Sequence, residues 1–185
     1  MKLLQKHKLN KRIAALSPRL YSIARSWRCS PDLCDDLVQD TLATAFTKVE
    51  QLRNEAVLDI WVIRILTNQH RLYLRQHQYM NPLEDDDLID EVEPFNNIDT
   101  DQTVNMVRAA IGLLNSEQCK VLTLVDMENF SYREVAKILD IKTGTVMSRL
   151  SRARTRLRQI ITELSKPENQ LKQKSSSAVK LWRVK

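Results

Sequence analysis

The most informative segment of the chain is SYREVAKILDIKTGTVMSRLSRARTRLRQIITEL, residues 131–164. Ser131 and Glu134 have the Ser-x-x-Glu spacing of a capping box, which predicts the start of a short helix. Residues 140–142 interrupt the helical pattern, and Thr143 is expected to cap a longer helix. The apolar positions of that helix recur at helical spacing: Val146, Leu150, Ala153, Leu157, Ile161 and Leu164. A short helix, a three-residue turn and a longer helix together predict a helix-turn-helix.

The outward side of the longer helix is polar and basic. Small hydroxyl side chains let a helix approach the floor of a DNA major groove, and arginine can pair with guanine through two hydrogen bonds. The candidate base-reading residues are Thr145, Met147, Ser148, Arg149, Ser151 and Arg152. Arg149 and the later Arg154, Arg156 and Arg158 are placed to meet phosphates. The alternative is an amphipathic helix with a basic, solvated face.

The composition excludes several classes of protein. Only two glycines occur, and no Gly-rich phosphate-binding motif is present, which argues against the common nucleotide-binding enzymes. The three cysteines form no C-x-x-C pair, which predicts reduced, buried thiols in a cytosolic protein and no metal site. No apolar run approaches the roughly 20 residues of a membrane span, so no membrane insertion is expected. The three histidines have no nucleophile or carboxylate at useful spacing, so we expect no catalytic residues and no cofactor.

The net charge of +6 is distributed unevenly along the chain. Residues 81–101 contain nine acidic side chains and no basic one, together with two prolines. Such a segment repels itself and buries little apolar surface, so it is predicted to be a flexible linker. It divides the chain into two basic helical domains, residues 1–80 and 102–165, followed by a basic tail at 166–185 that is expected to be disordered. Extended, the linker spans at most about 70–75 Å.

The N-terminal block also has helical periodicity. Ser17-Pro18 and Ser30-Pro31 are two helix-start signatures, each with a hydroxyl cap followed by proline in the first turn. The helix after Ser30 has an apolar face of Leu37, Val38, Leu42, Ala45, Val49 and Leu52. A third helix is expected from about Leu58 to Gln76, with inward residues Leu58, Trp61, Val62, Ile65 and Leu72. All-α architecture follows for both blocks.

A line of cationic residues lies on the other side of this third helix. Arg64, Asn68, Arg71 and Arg75 fall within about 60° of the helix surface at 100° per residue. Three guanidinium groups on one line repel each other unless an anion neutralises them. A phosphate backbone would do so, and the asparagine could hydrogen-bond a base edge. The alternative is a solvated helix face.

Taken together, these segments resemble the bacterial extracytoplasmic-function (ECF) sigma factors. The C-terminal resemblance lies in LNSEQCKVL (114–122), FSYREVAKIL (130–139) and TGTVMSRLSRAR (143–154). The N-terminal resemblance lies in DLVQDTL (36–42), similar to the polymerase-binding helix, and in Leu58, Trp61, Val62, Ile65 and Asn68, similar to the promoter-melting helix. Two motif sets in the same order are far more specific than one helix-turn-helix.

The resemblance implies a subunit that recruits core RNA polymerase to promoters, with an anti-sigma factor as a further partner. Asp36, Gln39 and Asp40 match the polymerase-binding positions. The −10 element is matched by Arg53 and Asn54, in a loop that would hold a flipped base, and by the stripe of Arg64, Asn68, Arg71 and Arg75. The helix-turn-helix residues named above match the −35 readers.

The chain departs from the family at a few positions. Met147 stands where the family often has a basic residue, Leu72 replaces a common acid, and Asp140 stands where the turn usually has glycine. Two other functions remain as alternatives. One is a sigma-like decoy that occupies an anti-sigma factor without binding promoters, which leaves the basic recognition helix unused. The other is an ordinary helix-turn-helix repressor, which leaves residues 36–42 and the melting helix unexplained.

Overall fold

The computed structural model describes residues 3–80, 106–107 and 110–165 of the chain. The N-terminal helices are α1 (Leu3–Ala15), α2 (Ser17–Ser26), α3 (Pro31–Lys48) and α4 (Leu58–Met80). The C-terminal helices are α5 (Ser116–Leu122), α6 (Tyr132–Leu139) and α7 (Thr143–Leu164), with a π-helical turn at Thr123–Met127. No strand occurs within these ranges, so the predicted all-α fold is confirmed. The predicted linker at 81–101 and tail at 166–185 lie outside the described residues.

The starts of α2 and α3 differ although both carry Ser-Pro. The Ser30 hydroxyl accepts a hydrogen bond from the amide of Leu33, as the sequence predicted. At α2, however, the N-cap is Leu16, its backbone is already helical, and no side chain caps the helix. A hydroxyl cap needs an extended backbone before the first turn. Because α1 ends at Ala15, directly before α2, that extended residue is missing, and the prediction that Ser17 caps α2 is wrong.

The buried side of α4 differs from the predicted one in the second half of the helix. Its fully buried apolar residues include Leu58, Val62, Ile63 and Leu66. Beyond Leu66 the buried positions continue to Thr67 and His70. Leu72 is 50% exposed, so its predicted inward position is wrong. Residue 72 lies about 200° around the helix from residue 70, which points it away from the core.

The C-terminal helices contain the predicted pair of helices and the turn between them. Ser131 and Glu134 form a complete capping box at the start of α6. Bonds from the hydroxyl and amide of Ser131 lower the pKa of the Glu134 carboxyl below its usual value. Thr143 is the first residue of α7 and the N-cap is Lys142, which makes no side-chain cap bond, so the prediction of a Thr143 cap is wrong.

The turn between α6 and α7 depends on a left-handed residue. Asp140 has φ 56° and ψ 50°, the region that glycine adopts without cost and that aspartate enters at some cost. The amide of Ile141 closes the turn by donating to the carbonyl oxygen of Ala136 at 3.0 Å. Helix α7 then packs through Val146, Leu150, Ala153 and Ile160, which are buried.

The N-terminal and C-terminal helices pack directly against each other. The Cys119 thiol donates to the carbonyl oxygen of Ser26 at 2.7 Å, and the hydroxyls of Ser26 and Thr123 lie 2.9 Å apart. Arg19 donates to the Glu128 carboxylate at 2.6 Å, and its guanidinium lies 5.1 Å from the ring centre of Phe130. We call this contact region the interdomain interface.

Polar groups are buried at the interdomain interface. His70 of α4 is 3% exposed and stacks on Trp27, with 5.5 Å between ring centres. Lys120 of α5 is 4% exposed, and burial lowers the pKa of its ammonium group. Burial, and then the charge of Lys120, lower the pKa of His70 to about 3. The imidazole is therefore neutral in the folded chain at neutral pH.

All three cysteines are buried and free, as the sequence predicted. Burial raises the pKa of Cys119 to about 11, and the hydrogen bond with the Cys34 side chain, followed by burial, raises the pKa of Cys29. Thiols that are buried and protonated react slowly with oxidants and alkylating reagents. Within the described ranges, no helix is both long enough and apolar enough to span a membrane.

We expect Ser131→Ala to lower the free energy of unfolding by about 0.5–2 kcal/mol, because it removes the α6 cap. The measurement is urea denaturation followed by circular dichroism. Thr162→Ala, which removes an exposed hydroxyl within α7, is the control and should change stability by less than about 0.5 kcal/mol. Equal effects of the two variants would contradict a capping role for Ser131.

We expect His70 to make stability fall with acid. Its folded pKa is about 3, whereas an unfolded histidine has a pKa near 6.5. Its contribution is therefore complete above pH 6.5 and is lost as the pH falls towards 3. Between pH 7 and 5, the free energy of unfolding of the wild type should fall by about 2 kcal/mol relative to that of His70→Phe. Urea denaturation at several pH values measures it, with His7→Gln, an exposed histidine, as control. A difference independent of pH would contradict a buried neutral imidazole.

Candidate nucleic-acid interface

The first half of α7 presents the predicted base-reading residues on one side. Met147, Ser148, Ser151 and Arg152 are exposed, whereas Thr145 is half-buried. Arg152 folds back on its own helix, where Nε donates to the carbonyl oxygen of Ser148 at 3.2 Å and Nη2 lies 3.4 Å from the Ser148 hydroxyl. These weak contacts leave the guanidinium free to extend towards a base.

Arg149 differs from Arg152 because it is held in place. It is half-buried and forms an ion pair with Glu117 of α5. Glu117 also lies 3.6 Å from the ammonium group of the buried Lys120. An open recess of about 280 Å³ lies between α5 and α7, lined by Asn115, Glu117, Gln118, Thr145, Arg149 and Arg152. Sequence reasoning missed Glu117, because its partner lies 32 residues away and only the fold brings them together.

The later arginines of α7 divide into two kinds. Arg154 makes two hydrogen bonds to the Asp126 carboxylate, at 2.6 and 3.0 Å, so part of its charge is already neutralised. Arg156 and Arg158 are exposed. The structure therefore presents Arg152, Arg156 and Arg158 as exposed cations along α7, while Arg149 and Arg154 brace the helix against acidic neighbours.

The cationic stripe of α4 lies on its outer side, as its spacing predicted. Arg64, Asn68 and Arg75 are exposed, and Arg71 is half-buried. Arg71 donates to the carbonyl oxygen of Leu139 at 2.8 Å. Arg64 lies 3.5 Å from the Asp140 carboxylate. Two of the four stripe residues thus contact the carboxyl end of α6.

The loop that carries Arg53 and Asn54 is shaped by its own side chains. Both residues are exposed, and the Asn54 carboxamide oxygen accepts from the Ala56 amide at 2.9 Å, capping a short 3-10 turn at Glu55–Val57. Helix α1 braces the loop from outside: Gln5 donates to Glu55 at 2.8 Å, and Arg12 lies 3.5 Å from the same carboxylate. The sequence reasoning had no helix at α1, so it missed this support.

The predicted polymerase-binding residues lie on the solvent side of α3. Asp36, Gln39 and Asp40 are all exposed, while the opposite side of the helix buries Leu37, Val38 and Ala45. Two carboxylates four residues apart share one helix face. In the part of the chain that the structure describes, no three histidine, cysteine or acidic side chains come together as metal ligands would.

Comparison with known proteins gives the same two regions in the same order. The family model of sigma-70 region 2 matches residues 13–79, and that of sigma-70 region 4 matches residues 105–157. The chain is 32% identical over 149 residues to the ECF RNA polymerase sigma factor EcfG of Rhodopseudomonas palustris, covering 78% of this chain and 80% of that protein. It is 30% identical over 150 residues to the sigma factor SigM of Mycobacterium tuberculosis, covering 80% and 74%.

Solved structures agree with the fold. The sigma factor RpoE of Bartonella quintana, determined in complex with the anti-sigma factor NepR, superposes with a TM-score of 0.72. That match is 28% identical and covers 82% of this chain and 95% of the other. The structure of CnrH in complex with the cytosolic domain of CnrY superposes with a TM-score of 0.59 at 21% identity, over 85% and 89% of the two chains, and supports the fold alone. With both regions matched across more than half of its length, the chain belongs to the ECF RNA polymerase sigma factors.

Proposed function

We propose that this ECF sigma factor divides promoter recognition between its two basic domains, residues 1–80 and 102–165, joined by the acidic segment 81–101. The observation that carries the proposal is the joint presence of two surfaces, the α4 stripe and the exposed polar side of α7, in a chain that matches both sigma-70 regions. The protein is a transcription regulator that directs core RNA polymerase to promoters. It would act in the cytoplasm, where the chromosome and polymerase are.

The C-terminal domain would read the −35 element with the first half of α7. Ser148 and Ser151 are short, so the helix axis can approach the groove floor, and Arg152 can reach a guanine edge. Met147 would offer an apolar contact of the kind that a thymine methyl group accepts. Thr145 and Arg149 flank these residues, and the pairing with Glu117 fixes where the Arg149 guanidinium meets the DNA. Phosphate contacts from Arg156 and Arg158 would set the register.

The N-terminal domain would bind the −10 element. Arg64, Arg71 and Arg75 supply positive charge along one line of α4, and Asn68 lies between them as a base-edge donor and acceptor. The Arg53–Asn54 loop would accept a base flipped from the melted strand. Unstacking a base costs a few kcal/mol. The rigid support that α1 gives the loop lowers the further cost of ordering it.

Helix α3 would hold core polymerase through Asp36, Gln39 and Asp40. The buried side of α3 belongs to the same core as α4, so polymerase binding and DNA binding would use the outer sides of two helices that share one core. We also propose an anti-sigma factor as a partner, supported by the Bartonella relative, which was solved with one bound. The decoy function is not favoured, because the chain retains exposed residues for reading DNA on α7.

The test is transcription in vitro with purified protein, core polymerase and a fragment library of the host genome. Transcripts that begin at defined sites only when the protein is present would establish both promoter elements. A protein that binds core polymerase but gives no transcript from any fragment would contradict the proposed division of the promoter. A protein that does not bind core polymerase would favour the decoy function.

On a promoter identified in this way, Arg152→Ala should weaken specific binding by about 1–3 kcal/mol and relax the preference at one base pair. The physical reason is the loss of a paired contact to a base edge. Arg158→Ala is the matched variant: loss of a phosphate contact should weaken binding evenly across sequences and reduce the salt dependence. Filter-binding or fluorescence titration against a set of mutated −35 elements measures both. An unchanged sequence preference in Arg152→Ala would remove Arg152 from the reading set.

For polymerase binding, the double variant Asp36→Asn and Asp40→Asn should weaken affinity for core polymerase at least tenfold, about 1.4 kcal/mol. The substitutions remove two charges from the exposed side of α3 without changing its shape. Asp32→Asn, an exposed carboxylate in the first turn of the same helix, is the control. Equal affinities of all three proteins for core polymerase, measured by fluorescence anisotropy, would place the binding surface elsewhere.

A further inference from the structure

Two residues of the α4 stripe contact the chain itself, Arg71 through a partly buried hydrogen bond and Arg64 through an exposed ion pair. Arg71 donates to the carbonyl oxygen of Leu139, the last residue of α6, at 2.8 Å. Two turns earlier on α4, Arg64 lies 3.5 Å from the carboxylate of Asp140, the residue after α6. Both arginines are among those proposed above to bind promoter DNA. The carboxyl end of α6 therefore lies where a nucleic-acid backbone would otherwise lie.

The carboxyl end of α6 has the chemistry of a phosphate. The last carbonyl groups of a helix lack intrahelical partners and carry about half a negative charge in total. The carboxylate of Asp140 adds a full negative charge directly beyond them. Oxygen acceptors of this kind and charge are what an arginine finds on DNA.

Asp140 is a costly residue at this position. Its backbone is left-handed, with φ 56°, where glycine would fit without strain. Glycine would build the turn at lower conformational cost but would offer Arg64 no carboxylate. The interdomain contact gives a physical reason for aspartate at this place, which the turn alone does not.

A second contact, at a different place from the stripe, joins the N-terminal and C-terminal helices. Arg19 of α2 donates to Asp59 at 2.7 Å and to Glu128 at 2.6 Å, so it joins the start of α4 to the segment before α6. The Glu128 side chain is only 15% exposed, and Phe130 lies under the guanidinium of Arg19. A partly desolvated pair with an additional cation–π contact is stronger than an exposed ion pair.

We propose that the chain inhibits itself: the carboxyl end of α6 occupies Arg64 and Arg71 as a surrogate for the phosphate backbone, and the Arg19–Glu128 contact keeps it there. This inference rests on the proposed role of the α4 stripe in binding DNA. In the closed arrangement the stripe is occupied, so only open molecules bind single-stranded DNA. The apparent affinity is therefore the affinity of the open form multiplied by the fraction of molecules that are open. Binding to polymerase or DNA must first separate the two halves.

The native Cys119 reports on opening. Its thiol is fully buried and bonds to Ser26 across the interdomain interface, so separation of the halves uncovers it. The rate at which iodoacetamide alkylates Cys119, resolved from Cys29 and Cys34 by mass spectrometry, therefore measures the open fraction without DNA. Affinity for a fluorescein-labelled 20-nucleotide single-stranded DNA at low salt is the second readout.

The variants are Glu128→Gln, which weakens the fastening contact, and Asp140→Asn, which removes the surrogate charge in a residue that tolerates the left-handed region. Glu50→Gln is the control, since Glu50 pairs with Lys6 wholly within the N-terminal helices. We expect both test variants to raise Cys119 alkylation and DNA affinity at least threefold, and Glu50→Gln to change neither. Adding Arg64→Ala and Arg71→Ala to Glu128→Gln should abolish the gain in DNA affinity while Cys119 stays reactive.

Three results would overturn the inference. The first is unchanged alkylation of Cys119 in both test variants, which would mean that neither contact holds the halves together. The second is faster alkylation with unchanged DNA affinity. The third is a gain in affinity that survives loss of both arginines. Failure of the proposed function is distinguishable from failure of this inference, because the transcription experiment tests promoter recognition without measuring opening, whereas alkylation of Cys119 measures opening without DNA.

Discussion

Like charges crowded on one helix face need an opposite partner, and this constraint shapes both halves of the molecule. The stripe of α4 places three arginines within about 60° of the helix surface. Water and salt reduce their repulsion but do not remove it. Two of these arginines find oxygen acceptors at the end of α6, and DNA offers acceptors of the same kind in greater number. Helix α7 meets the same constraint locally, since Glu117 and Asp126 pair with two of its arginines.

The packing of α3 against α4 makes the N-terminal helices a single rigid support. Val38 and Ala45 of α3 and Val62 and Leu66 of α4 belong to one buried core. Rigid burial of the inner faces leaves the outer faces with fixed directions, acidic on α3 and basic on α4. A subunit that must hold a protein on one side and DNA on another needs this separation of charges. A flexible pair of helices would lose binding energy in ordering both surfaces at each encounter.

Local rules accounted for much of the fold. The Ser131 capping box, the Ser30 cap and the all-helical class follow from spacing alone, because each depends on residues within one or two turns. The wrong predictions concern residues whose surroundings are set by other parts of the chain. Ser17 does not cap α2, because α1 ends directly before that helix. Leu72 points outward, because the buried side of α4 includes His70, which stacks on Trp27. Glu117 and Glu128 acquire their partners only in the folded chain, 32 and 109 residues away. No periodicity encodes such pairs.

Glu117 joins the two surfaces of the C-terminal helices. One of its oxygens pairs with Arg149, on the helix proposed to read DNA, and the other faces Lys120, which is buried at the interdomain interface. Lys120 in turn lies close enough to His70 to lower the pKa of that imidazole. A buried ammonium group depends strongly on its counter-ion, whereas a hydrated one does not. In the open state proposed above, Lys120 would be hydrated, which would weaken its attraction to Glu117 and leave the carboxylate to Arg149 alone. The interdomain interface and the side chain that positions Arg149 are therefore coupled through one shared carboxylate.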